Sequence, residues 1–208
     1  MSAQLRHVLL LCTLLFCGWP AMLMAYAPIQ PHPSLEPASE PGFLLVATKK
    51  LVDPWFRESV VLVTRIGNSG PFGVIVNRPG RITVDQALPS HAAAKDYSLF
   101  TGGPVYQKQI SYVFRSEKGA KGALKLSGNT YLSYNMTLLD ELLSGALQHT
   151  GLRVMNGLAG WAPGQLENEI ARGDWYVLPV DDKIIFDCPV AEIWPELLRK
   201  ATATATSD

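Results

Sequence analysis

The chain has 208 residues, of which 48% are hydrophobic and 17% are charged, a composition typical of one globular domain and not of a disordered or fibrous protein. Its 18 basic residues balance 18 acidic residues, so the protein lacks the overall positive charge that attracts nucleic acid or anionic lipid. Length and charge therefore favour a single folded domain and argue against binding to nucleic acid.

Residues 1–25 have the pattern of a secretory signal peptide. Arg6 is followed by an uncharged stretch, residues 8–25, whose apolar core has the length of the hydrophobic region of such a signal. Cleavage at the end of this stretch predicts an exported, periplasmic protein. Two alternatives stay open. The stretch remains uncleaved and anchors the protein, since its 18 residues reach the lower limit for a membrane span, or translation starts at Met22 or Met24 and the protein is cytoplasmic.

A linker and a folded domain follow the signal. Residues 26–41 hold five prolines and few large apolar residues, which is typical of an extended linker. The domain is predicted to span residues 42–200, and the alanine- and threonine-rich residues 201–208 are predicted to form a disordered tail. Cys188 is the only cysteine of this domain, so no disulfide is expected within it.

The first half of the domain is rich in strand signals. Short runs of β-branched and aromatic residues alternate with Gly, Pro and Asn, which favour turns. The predicted strands are Phe43 to Thr48, Ser59 to Arg65, Phe72 to Val76, Ser98 to Thr101 and Ile110 to Arg115.

The second half mixes helices with strands. Apolar residues repeat with the helical period from Thr137 to Gln148, where Thr137 and Asp140 have the spacing of a capping box. The other predicted elements are helices from Pro163 to the residue before Gly173 and from Ala191 to Lys200, and strands at Trp175 to Leu178 and Ile184 to Phe186. Strands followed by mixed helices and strands indicate the α+β class, with antiparallel or mixed pairing.

No short motif with a defined catalytic mechanism occurs in the sequence. A P-loop, a nucleophile elbow, a two-histidine zinc helix and a dinucleotide fingerprint are all missing. The domain has one cysteine and only two histidines, His91 and His149, which is too few for a dedicated metal site. His149 is expected to complement the C-terminus of the helix before it. The sequence therefore favours a non-catalytic domain without a metal or other cofactor.

Three turns rich in glycine and proline carry the candidate functional residues. Backbone can approach a ligand closely at such turns, and the third turn leads into a helix whose free N–H groups can hold an anion beside a tryptophan. The same glycines equally allow tight packing, with the tryptophan filling the core. The candidate ligand-binding residues are Asn77, Arg78, Gly102, Gly103, Gly160, Trp161 and Gln165.

Arg78 has two possible roles at the end of its predicted strand. Its guanidinium can bind a carboxylate or phosphate in a bidentate manner, or it can form an ion pair with Asp53 or Glu167. Asp53 itself is expected to cap a short turn, with Trp55 and Phe56 packing inward.

The chain resembles the YqgE/AlgH family, a bacterial family of small domains of uncertain function. The resemblance runs from about residue 42 to residue 198 and rests on four ordered motifs, at residues 51–61, 73–79, 102–105 and 159–167. It implies a single α+β domain in which a bent, partly barrel-like sheet is surrounded by helices. The AlgH name also implies an association with transcriptional regulation, usually in a cytosolic protein.

The leading hypothesis is an exported, non-catalytic domain that binds an unknown protein or a small anionic ligand. One alternative is a cytosolic, regulation-associated protein of the AlgH type. The other is a hydrolase or transferase that uses Asp53, Glu167 or Asp140 together with Arg78.

Overall fold

The computed structural model describes residues 41–65, 70–91 and 94–205. The predicted signal peptide and nearly all of the predicted linker lie outside these residues, as do the last three positions of the chain. All described residues belong to one compact unit.

Within the described ranges the chain forms ten strands and five α-helices. The strands are β1 Phe43–Ala47, β2 Val60–Thr64, β3 Phe72–Ile75, β4 Pro79–Thr83, β5 Ser98–Thr101, β6 Val105–Arg115, β7 Leu124–Ser127, β8 Thr130–Ser133, β9 Gly151–Gly160 and β10 Trp175–Pro179. The helices are α1 Val84–Ala87, α2 Met136–Leu143, α3 Gln165–Ala171, α4 Asp182–Asp187 and α5 Ile193–Ala205, the last preceded by a 3-10 turn at Val190–Glu192.

The strands pair in the order β10-β1-β2-β3-β9-β6-β8-β7, and β4 and β5 branch from this path. Most pairs are antiparallel, but β5 runs parallel to β9. Because β9 also pairs with β3 and β6, it lies at the centre of the sheet. The predicted α+β class with mixed pairing is confirmed.

Strands β1 and β2 are buried on both faces, which explains their nearly continuous apolar sequences. Leu44 and Leu62 belong to a core cluster that also contains Leu197 of α5. Their chain neighbours point the other way, as Val61 does, into a second cluster with Leu166 of α3. Alternation along the strands thus places α5 and α3 against opposite faces of the sheet.

The predicted strand at Ile184 to Phe186 is wrong, because these residues lie in α4. The carboxylate of Asp181 accepts a hydrogen bond from the N–H of Ile184 at 3.1 Å and so caps the helix. At the other end, Asp187 pairs with Arg115 of β6. A short apolar run is compatible with a strand and with a buried helical turn, so the run alone does not predict which of them forms. Here the cap formed by Asp181 favours the helix.

Helix α2 begins one residue before its predicted start, at Met136, and ends five residues before its predicted end, at Leu143. Asn135, and not Thr137, is the N-cap, since its side chain accepts the N–H groups of Thr137 and Leu138. The helix ends at Leu143, and Gly145 follows with a φ of 76° that a helix cannot contain.

Helices α3 and α5 also differ from their predicted limits. Helix α3 begins at Gln165, after Gly164 has adopted a φ of 78°. Helix α5 continues to Ala205, so residues 201–205, predicted as part of a disordered tail, are helical. The side chain of Ala201 is buried against the core, which holds this last part of the helix in place.

In the part of the chain that the structure describes, no helix is long and apolar enough to cross a membrane.

Candidate functional site

Two side chains that follow β3 hold the loop between β1 and β2. Asn77 accepts the N–H of Val60 at 2.8 Å with its Oδ1 and donates from Nδ2 to the carbonyl of Glu58 at 2.9 Å. Arg78 donates from Nη1 to the carbonyl of Trp55 and from Nη2 to that of Arg57, the latter at 2.9 Å. The Asn-Arg pair of the sequence motif therefore fixes the backbone of residues 55–60.

Asp53 starts the turn in this loop. Its Oδ1 accepts the N–H groups of Trp55 at 2.8 Å and Phe56 at 3.2 Å, as predicted for a capping residue. Phe56 packs inward, with ring centroids 6.3 Å from Trp161 and 5.7 Å from Trp175. The inward packing predicted for Trp55 is wrong, because this side chain is 38% exposed.

Backbone strain is present at the end of the same loop. Glu58 has a φ of 56°, a left-handed conformation that costs about 1–2 kcal/mol in a residue other than glycine. The hydrogen bond from Asn77 to its carbonyl helps to hold this conformation. Such strain persists only where surrounding contacts enforce it, and it is frequent at binding sites.

An open cleft of about 500 Å³ lies beside this loop. It is called the Arg78 cleft below. The loop contributes Pro54, Arg57 and Glu58 to its lining, and Asn77 and Arg78 line it from the segment after β3. The start of α5 and the turn before it contribute Val190, Ala191, Trp194 and Pro195.

The Arg78 cleft contains two neighbouring positive charges. Partial burial of Arg78, and secondly the charge of Arg57, lower the pKa of Arg78, while Asp53 and Glu58 act in the opposite direction. The expected ion pair of Arg78 with Asp53 or Glu167 is not formed. Asp53 binds backbone N–H groups and Glu167 pairs with Arg65.

Trp161 in the core and Gln165, the half-buried first residue of α3, both contact one carboxylate. The indole Nε1 groups of Trp161 and Trp175 both donate to Oε2 of Glu169, at 2.8 and 2.9 Å. Gln165 donates to Oε1 of Glu169 at 2.9 Å. Trp161 is only 6% exposed, and Gly160 pairs with β3. These contacts favour the packing role over a ligand site at this turn.

Gly102 and Gly103 are buried against the backbone of β9. A Cβ atom at Gly102 would lie 2.3 Å from the carbonyl oxygen of Gly157, and one at Gly103 would lie 2.2 Å from that of Leu158. Gly103 also has a φ of 152°. Both glycines therefore serve close strand packing. Of the candidate residues, only Asn77 and Arg78 line the Arg78 cleft.

Sequence reasoning missed the opposite side of this cleft. Arg57 belongs to the recognised motif at residues 51–61, but nothing in the spacing singles it out. Trp194 lies over 110 positions from Arg78 along the chain, and no local pattern indicates that the two residues meet.

A second polar cluster lies away from Arg78, next to α2. The hydroxyl of Ser90 is 2.9 Å from Nδ1 of His91. Nε2 of His91 lies 2.9 Å from Oδ1 of Asp140, without the alignment of a hydrogen bond. These groups border a cavity of about 320 Å³. Asp140 is therefore placed with a histidine and not with Arg78.

Two further ionisable groups are removed from solvent, Arg153 fully and His149 in part. Arg153 of β9 is 6% exposed, donates to the carbonyl of Val76 and lies 5.2 Å from the ring centroid of Phe100. Burial lowers the pKa of Arg153 to about 10. Burial also lowers the pKa of His149, and the backbone of Leu142 in the last turn of α2 partly offsets this. Helix α2 ends at Leu143, so His149 lies beyond its last turn, and the contact of His149 with a helix C-terminus stays a prediction.

Among residues 41–65, 70–91 and 94–205, no three histidine, cysteine or carboxylate side chains are grouped as metal ligands.

The AlgH-like family model, DUF179, matches residues 44–205. The chain belongs to this family. The UPF0301 protein Rv0038 of Mycobacterium tuberculosis is 33% identical over 180 residues, which cover 82% of this chain and 88% of the relative. A UPF0301 protein of Mycobacterium ulcerans is 32% identical over the same proportions. The predicted resemblance is confirmed, and the function of the family is uncharacterised.

Two solved structures share the fold. The crystal structure of protein DIP2367 from Corynebacterium diphtheriae has a TM-score of 0.66 and 27% identity, covering 79% of this chain and 87% of that one. The solution structure of AlgH from Pseudomonas aeruginosa has a TM-score of 0.65 and 23% identity, covering 82% and 93%. The bent, half-barrel sheet flanked by helices that the resemblance implied is confirmed.

Proposed function

We propose that this AlgH-like domain is a binding domain that takes a small anion, a carboxylate or a phosphate, in the Arg78 cleft. The observation that carries the proposal is the burial and orientation of the Arg78 guanidinium. Its guanidinium is half-buried at the cleft and oriented by two backbone carbonyls. Within the described residues it pairs with no carboxylate.

The chemistry of the guanidinium supports this role. An arginine has five N–H donors arranged in a planar fork that matches carboxylate and phosphate oxygens. The carbonyls of Trp55 and Arg57 fix the orientation of Arg78 and leave donors for a ligand. A group already held in its binding orientation loses less entropy when the ligand arrives.

The other polar residues of the cleft then have different roles. Arg57 is exposed and contributes a second charge. Both polar groups of Asn77 bind the loop backbone, so Asn77 positions the loop. Glu58 borders the same cleft and opposes an anion, which limits the affinity for a single charged group.

The test is a titration of the folded domain with inorganic phosphate and with acetate, followed by amide chemical shifts. Arg57→Gln keeps the carbonyl that Arg78 uses and is expected to weaken binding about tenfold, equivalent to about 1.4 kcal/mol. Arg81→Gln, which removes an exposed arginine on β4, is the matched control and leaves binding unchanged. The proposal fails if neither anion shifts the amide resonances of residues 55–58 and 78 at about 10 mM.

Export is the second part of the proposed function, and the uncharged stretch at residues 8–25 supports it. Cell fractionation with mass spectrometry of the mature N-terminus tests it. A periplasmic protein that begins near Tyr26 supports export. A cytosolic protein that begins at Met22 or Met24 contradicts it and returns the domain to the cytosolic, regulation-associated alternative.

The Ser90, His91 and Asp140 cluster supports a second candidate function, the hydrolysis of an ester. A hydroxyl, an imidazole and a carboxylate in sequence can activate a serine nucleophile, and the two contacts of 2.9 Å have that order. Labelling of the protein by a fluorophosphonate, lost in Ser90→Ala and kept in Ser144→Ala, is the expected result for a hydrolase. The absence of labelling at Ser90 rejects this candidate.

A further inference from the structure

The Arg78 cleft is larger than a simple anion requires. Its volume of about 500 Å³ falls within the range of about 300–1,000 Å³ that is typical of sites for whole small molecules. Because one water molecule has a share of about 30 Å³ in the liquid, a single phosphate or carboxylate group fills only a small part of the cleft. The remaining lining residues therefore indicate the chemistry of the rest of the ligand.

That remaining lining is apolar and contains an aromatic side chain. Val190, Ala191, Trp194 and Pro195 come from the turn before α5 and its first residues. The exposed surface of the cleft is mostly polar, with Arg57 from the loop and Arg78 after β3, and it has a smaller apolar part from the turn before α5 and its first residues. A ligand that complements both parts has a charged group and an apolar body.

Trp194 is held in place from behind. Its Nε1 donates to the carbonyl of Ala47 at 2.8 Å, and its ring packs against the core cluster that contains Leu44 and Leu197. A fixed indole offers a flat surface at low cost in conformational entropy, and aromatic rings prefer to pack against other rings in stacked or edge-to-face arrangements.

We propose that the ligand is an aromatic anion, an aryl phosphate or aryl carboxylate, whose charged group binds Arg57 and Arg78 and whose ring packs against Trp194. This inference rests on the proposed anion site and adds the chemical class of the ligand. Planar aromatic groups suit the surfaces of Trp194 and Pro195 better than a flexible alkyl chain, which loses rotamer freedom on binding.

The experiment compares inorganic phosphate, phenyl phosphate and butyl phosphate on the same protein, with affinities from amide and indole chemical shifts. Phenyl phosphate is expected to bind about tenfold more tightly than inorganic phosphate and more tightly than butyl phosphate. The shift of the Trp194 Nε1–H resonance reports directly on the ring contact.

Two variants test the role of the apolar lining. The quantity compared is the ratio of the affinities for phenyl phosphate and for inorganic phosphate, because a variant that weakens both affinities equally leaves this ratio unchanged. Trp194→Leu removes the aromatic surface, and Ala191→Leu narrows the cleft at an exposed position that does not contribute to the core. Both are expected to reduce the ratio to about one. Val52→Ala removes an exposed apolar side chain of the same loop outside the lining and is the matched control that keeps the ratio.

The outcomes separate this inference from the proposed function. Phosphate binding with no gain for phenyl phosphate overturns the aromatic ligand and leaves the anion site in place. Equal gains for phenyl and butyl phosphate also overturn it, in favour of an aliphatic anion. Binding of none of the three compounds refutes the anion site itself.

Discussion

Replacing Glu169 with alanine is expected to lower the free energy of unfolding by about 2–4 kcal/mol. The Glu169 carboxylate accepts the indole N–H groups of Trp161 and Trp175, which are 6% and 4% exposed. A buried donor left without a partner costs about 1–3 kcal/mol, and two donors are affected. The value lies below the upper sum because Glu169 is only half-buried and water can reach part of the vacated space.

The measurement is urea denaturation followed by circular dichroism and tryptophan fluorescence. Glu167→Ala is the matched control on the same helix, since Glu167 forms only an exposed ion pair with Arg65 and is expected to cost about 0.2–1 kcal/mol. Glu169→Gln keeps one acceptor oxygen for the indoles and is expected to lose less than half as much stability as the alanine variant. A loss below about 1 kcal/mol for Glu169→Ala would refute the structural role assigned to Trp161.

Three further predictions concern stability. Gly103→Ala places a Cβ atom 2.2 Å from a backbone oxygen and is expected to lower the free energy of unfolding by more than about 3 kcal/mol. In Gly164→Ala the Cβ atom meets no atom within 4 Å, and the expected loss is about 1 kcal/mol because of the φ of 78°. Urea midpoints distinguish the two variants. Arg153→Met removes a buried charge that has no carboxylate partner among the described residues, so its stability should stay within about 1 kcal/mol of the parent; a larger loss would mean that the guanidinium supports the fold. Because burial lowers the pKa of His149 below its ordinary value of 6.5, the unfolded chain takes up the proton first and the stability present above that pH declines as the pH falls. Urea midpoints at about pH 7.5 and about pH 5.5 should therefore differ less in His149→Gln than in the parent, and an unchanged difference would contradict the assignment.

The sequence predicts those strands whose own residues are enough to define them as strands. Strand β1 is apolar along its whole length and β2 is largely β-branched, and both were predicted within two residues of their observed limits. Strand β9 was not among the predicted strands, and Gly157, which adopts a φ of 75° within it, interrupts its pattern. Its central place in the sheet depends on pairing with three distant strands, which no local signal reports.

The site was predicted only in part for the same reason, because the sequence reports local patterns but not distant contacts. Asn77 and Arg78 were recognised because they follow a strand within a motif. Their carbonyl partners at residues 55, 57 and 58 and the facing Trp194 depend on tertiary structure. Trp161 has the residue type of a ligand contact, but the distant Trp175 and the half-buried Glu169 on the adjoining helix make it part of the core.

The motifs that the structure separates are nevertheless connected through one loop. Phe56 packs against Trp161 and Trp175, while the neighbouring carbonyl of Arg57 is bound by Arg78. Consecutive residues of the loop are thus fixed from the core on one side and from the end of β3 on the other. Trp161 of the fourth motif and Trp175 therefore help to position Arg57 in the cleft without touching a ligand. A substitution at Trp161 can for this reason weaken anion binding through the loop, and only a binding measurement made alongside a stability measurement separates that effect from direct contact.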